Sequence, residues 1–589
     1  MRYTYSYRLA WGVSGVGKGS FITASLFCSL FSVAAFPAEA ERELLGEASH
    51  VVPSSIRVAP DGSRFAAVVV SPQTKERRVI VNCKRLSGAY DMVAKGTPIF
   101  SRDGKRVAFV ASRRGKCFVV VDGREGRNYE ITSDEWPIAD LIFSPTGRHV
   151  AYKARRGGKN YLVVDGKEFG PYDPVSDAGE KVEGIWGFQF ADSDEYFSYR
   201  AKTGDKMVAC RGWSHDGTID LTTSKKYESV GAGTPVWLRG QAGEKGHEFA
   251  FIARENKKEF IAFLPEKNDN KPKTYDLILR GSLTCTPDKV LGFVARSEDK
   301  WRAIVGGKEW KPCDRVGQLM YSPSGQRWAC PARMNGNIVM LVNGEAGPGY
   351  SGIRYPGTVF AAPDERVIYA AVKDERSRVV VDGKEGGRYR EVDAGSILFA
   401  PDGKRMAYTA GDGQKQFVIL DGRKGPSFER VSDLRFDPSG KRFAYRSQEG
   451  LKRYVVVDGK ALGPYESIAP GSPVFSQDGQ TVAWAAMGKD GNWRVYVDGK
   501  AGPAFDAIVS QLAFAPGGRA PVYVARILAQ GKHTFSMVSG ADIGREYTSI
   551  WMGDGGRLFV RNDGRVEYFA KRGPLVYKVT DRVTKPQGK

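Results

Sequence analysis

One segment, FAPDGKRMAYTAGDGQKQFVILDG from Phe399 to Gly422, recurs in near-copies along the chain. Its Pro401-Asp402-Gly403 predicts a chain reversal, because Pro presets φ, Asp caps the turn and Gly tolerates positive φ. The alternating side chains after this turn, and the run Phe417–Leu420, predict β-strands. Asp421-Gly422 predicts a type I′ hairpin, which needs positive φ at both central residues. Each copy is therefore expected to form three or four short antiparallel strands.

The spacing of the copies predicts β-propeller blades, since a period of this size that carries four strands is typical of them. The residue at the Phe399 position returns in steps of 36 to 48 residues. The clear equivalents are Val58, Phe100, Phe143, Phe190, Tyr321, Phe360, Phe436, Phe475 and Phe514, and weaker ones lie near Trp237, Cys285 and Trp551. An alanine eight residues later predicts close packing of one sheet on the next, and it recurs at Ala108, Ala151, Ala329, Ala407, Ala444 and Ala483.

A change in repeat length near residues 276–320 predicts a division of the chain. The early steps are longer than the later ones, which run mostly 37 to 39 residues. The predicted fold is all-β, with two consecutive β-propellers of four-stranded antiparallel blades. About six longer blades are expected in residues 41–314 and about seven shorter ones in residues 315–589.

The repeats resemble the WD-like propeller repeats of the periplasmic protein TolB and its relatives. Four segments of the FSPDGKRVAY type carry the likeness: Phe100 to Phe109, Phe143 to Tyr152, Phe399 to Tyr408 and Phe436 to Tyr445. A second signature, VVVDGKEG at Val379 to Gly386, departs from that pattern. The resemblance covers most of the chain and implies a propeller fold, but such blades serve several unrelated functions.

The first forty residues are predicted to be a signal peptide. A basic leader precedes an apolar run from Phe21 to Phe36, and Ala38-Glu39-Ala40 has the small-x-small form of a cleavage site. The apolar run is short for a membrane span. Export to the periplasm or outside the cell is therefore expected, with an uncleaved anchor as the alternative. After cleavage the protein is not expected to be an integral membrane protein.

The chain is strongly basic, with a formal net charge of +21. Residues 1–40 carry three of the cations and one anion, which leaves +19 on the rest. Such an excess favours anionic partners: phosphate-bearing lipids, acidic glycans or nucleic acid. The partner expected is a protein or an anionic cell-envelope component, and nucleic acid is not expected. Many of the cations lie in the repeated turns, such as Lys404-Arg405 and Lys441-Arg442, where simple solvation is the plainer interpretation.

Six cysteines follow residue 40. Without a C-x-x-C pair or a histidine cluster, neither a metal site nor a cofactor is expected. Export makes disulfides compatible with the sequence, and the pairs Cys83 with Cys117 and Cys313 with Cys330 are candidates. Free buried thiols are the alternative.

No catalytic constellation emerges, and no G-x-S-x-G nucleophile elbow occurs. The function expected is therefore a non-catalytic binding or scaffolding module for protein or cell-envelope partners. The rival hypothesis is an envelope glycoside hydrolase or lyase with carboxylates at a propeller axis.

Residues that break the repeat are the candidates for specific binding. They are Asp134 and Trp136 before the third copy, Arg155 and Arg156 in its middle loop, and Trp186 at the end of the insertion Val175 to Gly187. An aromatic set after the second turn fits either carbohydrate stacking or, more simply, the core: Tyr129, Tyr172, Tyr350, Tyr389, Phe428, Tyr465 and Phe505.

Overall fold

A computed structural model describes residues 41–583 except 87, 132–135, 175–183, 193, 216–217, 232–235, 239–247, 266–271, 355–359, 362–363 and 530. This part of the chain contains no α-helix, and three short 3-10 turns interrupt the strands at Pro53–Ser55, Ala394–Ser396 and Asp554–Gly556. The strands form thirteen separate antiparallel sheets, here called blades 1 to 13 in chain order. The prediction of antiparallel propeller blades is therefore confirmed.

Each blade is built on a central hairpin of two long strands, B and C. The B strands are Phe65–Val70, Val107–Arg113, Val150–Arg156, Tyr196–Thr203, Glu248–Glu255, Leu291–Ser297, Trp328–Met334, Arg366–Lys373, Met406–Gly411, Phe443–Glu449, Val482–Met487, Pro521–Ala529 and Arg565–Arg572. The C strands are Arg77–Val81, Lys116–Val121, Lys159–Val164, Lys206–His215, Lys258–Leu264, Lys300–Val305, Asn337–Val342, Arg376–Val381, Gln416–Leu420, Lys452–Val457, Trp493–Val497, Lys532–Ser539 and Leu575–Arg582.

Strand A pairs with B, and the outer strand D pairs with C. The A strands of neighbouring blades lie side by side, so A is the innermost strand. In three blades A is one continuous element: Ile138–Phe143, Ile185–Phe190 and Arg430–Phe436. In most others it is broken in two, as in Leu398–Phe399 after Glu391–Val392, and a serine closes the break. Ser396 accepts a hydrogen bond from the Thr409 amide at 2.8 Å and donates to the Asp393 carbonyl at 2.7 Å.

The predicted hairpin turn between C and D is confirmed. Asp421 and Gly422 have φ of 51° and 79°, as a type I′ turn requires. The Asp421 carboxylate also accepts the amide of Met406, the first residue of strand B, at 3.0 Å. The turn aspartate therefore joins the two ends of the central hairpin.

The thirteen blades form one closed ring. Thirteen apolar clusters make up the core of the described residues, and each joins one blade to the next. The last of them joins blade 13 to blade 1, where the Phe65 ring lies 4.8 Å from Trp551 and 5.2 Å from Phe569. The N-terminal strand Glu41–Glu47 pairs with Leu575–Arg582 and supplies strand D of blade 13.

The prediction of two propellers is therefore wrong, although the expected blades, about six and about seven, add up to the number found. The predicted boundary between residues 314 and 315 falls between blades 6 and 7. These two blades share one core, in which Val294 and Ala303 of blade 6 pack with Trp328 and Val339 of blade 7. Residues 40–589 form one compact unit. The change in repeat length comes from loops that lengthen individual blades, and loop length does not decide which sheets pack together.

The recurring alanines lie where one sheet packs closely on the next, as their position predicted. All six, from Ala108 to Ala483, are fully buried. Five of them belong to the core between their own blade and the next. The aromatic set after the second turn is also core: all but Tyr389, which is half-buried, are at most 8 % exposed.

Candidate partner-binding face

The blade topology divides the surface of the ring into two faces. One carries the A–B and C–D turns, such as residues 101–106 and 122–123, and is called the repeat face. The other carries the B–C hairpins, such as residues 156–159, and the connections between blades, and is called the variable face.

The arginines of the repeat face are structural. Each donates to turn carbonyl groups of the following blade, and all but Arg561 lie six residues after the strand A landmark. The pairs are Arg64 with Gly104, Arg106 with Gly147 and Arg148, Arg327 with Glu365, Arg366 with Gly403, Arg405 with Gly440 and Lys441, Arg442 with Gln480, and Arg561 with Asp61. The last pair joins blade 13 to blade 1.

Five of these arginines also stack on the landmark aromatic ring of the following blade, at 4.9 to 5.5 Å from the ring centroid. Arg405, for example, lies over Phe436 and pairs with Asp421 of its own blade at 2.8 Å. The interpretation of these arginines as solvated turn charges is therefore wrong. The signal in the sequence was their fixed distance from an aromatic residue that the next copy also carries.

On the variable face, Trp136 and Arg155 lie next to each other at blade 3. The Arg155 amide donates to the carbonyl of Pro137, which follows Trp136, at 2.8 Å. Trp136 is half-buried against the core between blades 2 and 3. The Arg155 side chain is exposed and has no ion pair within the described residues. The backbone of this segment therefore brings a half-buried tryptophan and an exposed arginine to the same end of blade 3.

Arg156 is held in place by its neighbours. It pairs with Glu168 at 3.0 Å, and its guanidinium carbon lies 4.9 Å from the centroid of the Tyr161 ring. Glu168 is only 12 % exposed and also pairs with Arg127 at 2.9 Å. One carboxylate therefore serves two arginines, which leaves this edge of blade 3 net positive.

Trp186 lies at the inner edge of blade 4. It pairs across the sheet with Arg200, whose guanidinium carbon is 5.7 Å from the indole centroid. Arg200 donates to the Val230 carbonyl of blade 5 at 3.0 Å. Burial lowers the pKa of Arg200, and the positive charge of Arg280 lowers it further. Asp134 and residues 175–183 lie outside the described residues, so the structure brings together Trp136, Arg155 and Arg156, with Trp186 on the adjacent blade.

Two carboxylates on the continuous inner strands bear on the enzyme hypothesis. Asp140 pairs with Lys153 at 2.8 Å, and Asp433 accepts from Arg446 Nε at 2.6 Å. Each acid is thus matched by a cation of strand B in its own blade.

Among the described residues, no cluster of His, Cys, Asp and Glu has the grouping of a metal site. In the same residues, no helix is long and apolar enough to cross a membrane.

The six cysteines after residue 40, including Cys83, Cys117, Cys313 and Cys330, are free thiols in the structure. Burial raises the pKa of Cys117 to about 12. Cys313 and Cys330 belong to the same core between blades 6 and 7.

Alkaline pH is expected to destabilise the protein partly through Cys117. An unfolded thiol ionises near pH 8.5, whereas folded Cys117 keeps its proton to about pH 12. The unfolded state then binds fewer protons, so the free energy of unfolding falls as pH rises, by at most about 1.4 kcal/mol per pH unit for one thiol. Urea unfolding with reductant at pH 7.5 to 10 should show a shallower fall for Cys117→Ala. An unchanged slope would contradict the assignment.

The comparisons with known proteins find no matching family model and no curated relative. Two solved structures share 12 % sequence identity with the chain. A crystal structure of the eukaryotic initiation factor matches with a TM-score of 0.25 over 68 % of this chain and 96 % of its own. A crystal structure of TolB from Acinetobacter baumannii matches with a TM-score of 0.20 over 61 % of this chain and 80 % of its own. Because both TM-scores are low, the fold is established by the strand pairing of this chain.

Proposed function

We propose that the protein is an exported, non-catalytic propeller that binds a protein or an anionic cell-envelope component through its variable face. The observation that carries the proposal is the difference between the faces. On the repeat face, the same arginines and aspartates recur from blade to blade and are engaged in contacts within and between blades. The hairpins of the variable face differ from blade to blade, and chemically distinct groups are what specific recognition requires.

The region around Trp136, Arg155, Arg156 and Trp186 is the proposed contact site. Aromatic residues and arginine are enriched at the centres of protein interfaces. The wide, preformed ring offers this site without rearrangement, which lowers the entropic cost of association. Export to the periplasm or beyond, by cleavage after Ala40, is part of the same proposal.

Replacing Arg155 and Arg156 with Ala is expected to weaken partner capture from envelope extracts at least tenfold, because these side chains are exposed at the proposed contact. The melting temperature should change little, since of these two arginines only Arg156 forms an ion pair among the described residues. Trp136→Ala is a poorer test, because that residue packs on the core.

The matched control is Lys404→Ala with Lys441→Ala, which removes the same charge from exposed side chains of the repeat face. Equal loss of capture in both variants would mean that charge alone attracts the partner, and the proposed site would be wrong. Turnover of envelope glycans by the purified protein would instead favour the glycoside hydrolase or lyase hypothesis.

A further inference from the structure

A cavity of about 380 Å³ opens on the variable face at blade 10, far along the chain from the site at blades 3 and 4. Its wall includes Arg430 at the start of strand A, Arg446 and Gln448 near the end of strand B, and Arg453 at the start of strand C. Ile468 of blade 11 completes one side. The cavity therefore lies where blade 10 meets the connection to its neighbour.

The charges in this wall are unbalanced. The residues that line the cavity include three arginines and no carboxylate. Arg446 is matched by Asp433, whose Oδ2 lies 2.6 Å from its Nε. Arg453 donates only to the carbonyls of Leu451, at 3.4 Å, and Glu466. The Arg430 side chain has no hydrogen bond or ion pair within the described part of the chain.

The carboxylates next to Arg430 and Gln448 in the chain are engaged elsewhere. Glu449, which follows Gln448, pairs with Lys415 of blade 9 at 2.5 Å. The Glu429 carboxylate accepts the Gly450 amide at 2.9 Å. Two guanidinium groups, those of Arg430 and Arg453, thus face the cavity region without a carboxylate.

Blade 3 shows that the fold does not need these two arginines. Blade 3 has the same continuous strand A and the same inner ion pair, with Lys153 and Asp140 at the positions of Arg446 and Asp433. Pro137 and Asn160 occupy the positions of Arg430 and Arg453. The two arginines therefore distinguish blade 10 from blade 3, and no ion pair among the described residues accounts for either of them.

We propose that this cavity binds a small hydroxylated oxyanion, in which a carboxylate or phosphate lies against Arg430 and Arg453. The planar guanidinium fork matches both anions in a bidentate manner. Gln448 donates its Nε2 to the Gly450 carbonyl at 2.8 Å, so its side-chain oxygen can accept from a ligand hydroxyl. The volume is at the lower end of the range of small-molecule sites, which fits an acidic or phosphorylated monosaccharide.

Isothermal titration calorimetry of the full chain with glucuronate, glucose 6-phosphate, inorganic phosphate and glucose tests this site. Saturable binding is expected for glucuronate or glucose 6-phosphate, and the tighter of the two identifies the anion. Arg430→Gln with Arg453→Gln should weaken that binding by at least about tenfold, because charge-assisted hydrogen bonds are lost. Arg430→Gln alone should also weaken it without a change in melting temperature, since that side chain has no partner to lose.

Lys452→Gln with Lys489→Gln is the control, because it removes the same charge from exposed side chains on the same face that do not line the cavity. Unchanged binding in this control supports the site. The proposal is overturned if the control loses as much affinity as the arginine variant, if glucose binds as tightly as glucuronate, or if none of the probes saturates below about 10 mM. These outcomes are independent of partner capture at blade 3.

Discussion

Deletion of residues 41–47 is expected to leave a protein that aggregates. This strand is the outer strand of blade 13, and its register runs from Glu41 opposite Thr580 to Glu47 opposite Leu575. Without it, strand C of blade 13 becomes an exposed edge, which is a template for pairing with other chains. The closing core, which contains Phe65, Trp551 and Phe569, also loses Leu45, which packs against it.

Size-exclusion chromatography and thermal unfolding of the deletion variant measure this effect. A synthetic peptide of residues 41–49, added during refolding, should restore part of the soluble fraction, because the vacant edge can accept a strand from another molecule. A scrambled peptide is the control. A deletion variant that stays monodisperse and unfolds cooperatively at the original temperature would show that the strand does not close the ring.

Arg405→Glu combined with Arg442→Glu is expected to lower stability by at least about 4 kcal/mol. Each arginine loses hydrogen bonds to the next blade and its contact with an aromatic ring, Phe436 or Phe475. Charged hydrogen bonds contribute about 1.5–3 kcal/mol each, and partly exposed cation–π contacts about 0.5–1 kcal/mol. The side chains are only 30 % and 29 % exposed, and the new carboxylates face Asp421 and Asp458.

The matched control is Lys404→Glu with Lys441→Glu. These lysines precede the two arginines, carry the same charge and are exposed. Their reversal should change the free energy of unfolding by less than about 0.5 kcal/mol. The sequence-based interpretation was that all four residues are solvated turn charges; the structure limits that interpretation to the lysines. Equal melting temperatures for the two variants would contradict the role given to the arginines.

Local features of the fold were predictable because each copy specifies its own hairpin. The Asp-Gly turns, the alternating strands and the buried alanines are short-range properties, and the structure has them where the sequence placed them. Ring closure was not predictable in this way. Successive copies are compatible with one ring or two, and the strand that decides between them, Glu41–Glu47, resembles no strand of the repeat and carries Leu44 at 55 % exposure.

Of the candidate sites, likewise, only one could be predicted from the sequence. Departures from the repeat pointed to Trp136, Arg155 and Trp186, and the structure places them on the face where successive hairpins differ. The cavity at Arg430 and Arg453 could not be predicted from the sequence, because arginine is common throughout the chain and nothing singles out these two. Comparison of blade 10 with blade 3, position by position along the paired strands, shows that neither residue has an arginine counterpart in blade 3.

The closed thirteen-blade ring is tested most directly by a disulfide between the chain ends. Glu43 and Lys578 are opposite each other in the register of the closing strands, and opposed residues of antiparallel strands have Cα atoms about 4.5–5.5 Å apart, within reach of a disulfide. In the variant Glu43→Cys with Lys578→Cys, mild oxidation should yield this crosslink in the folded monomer, identified by mass spectrometry of the linked peptides. A folded monomer that forms no such crosslink under the same conditions would contradict the single ring.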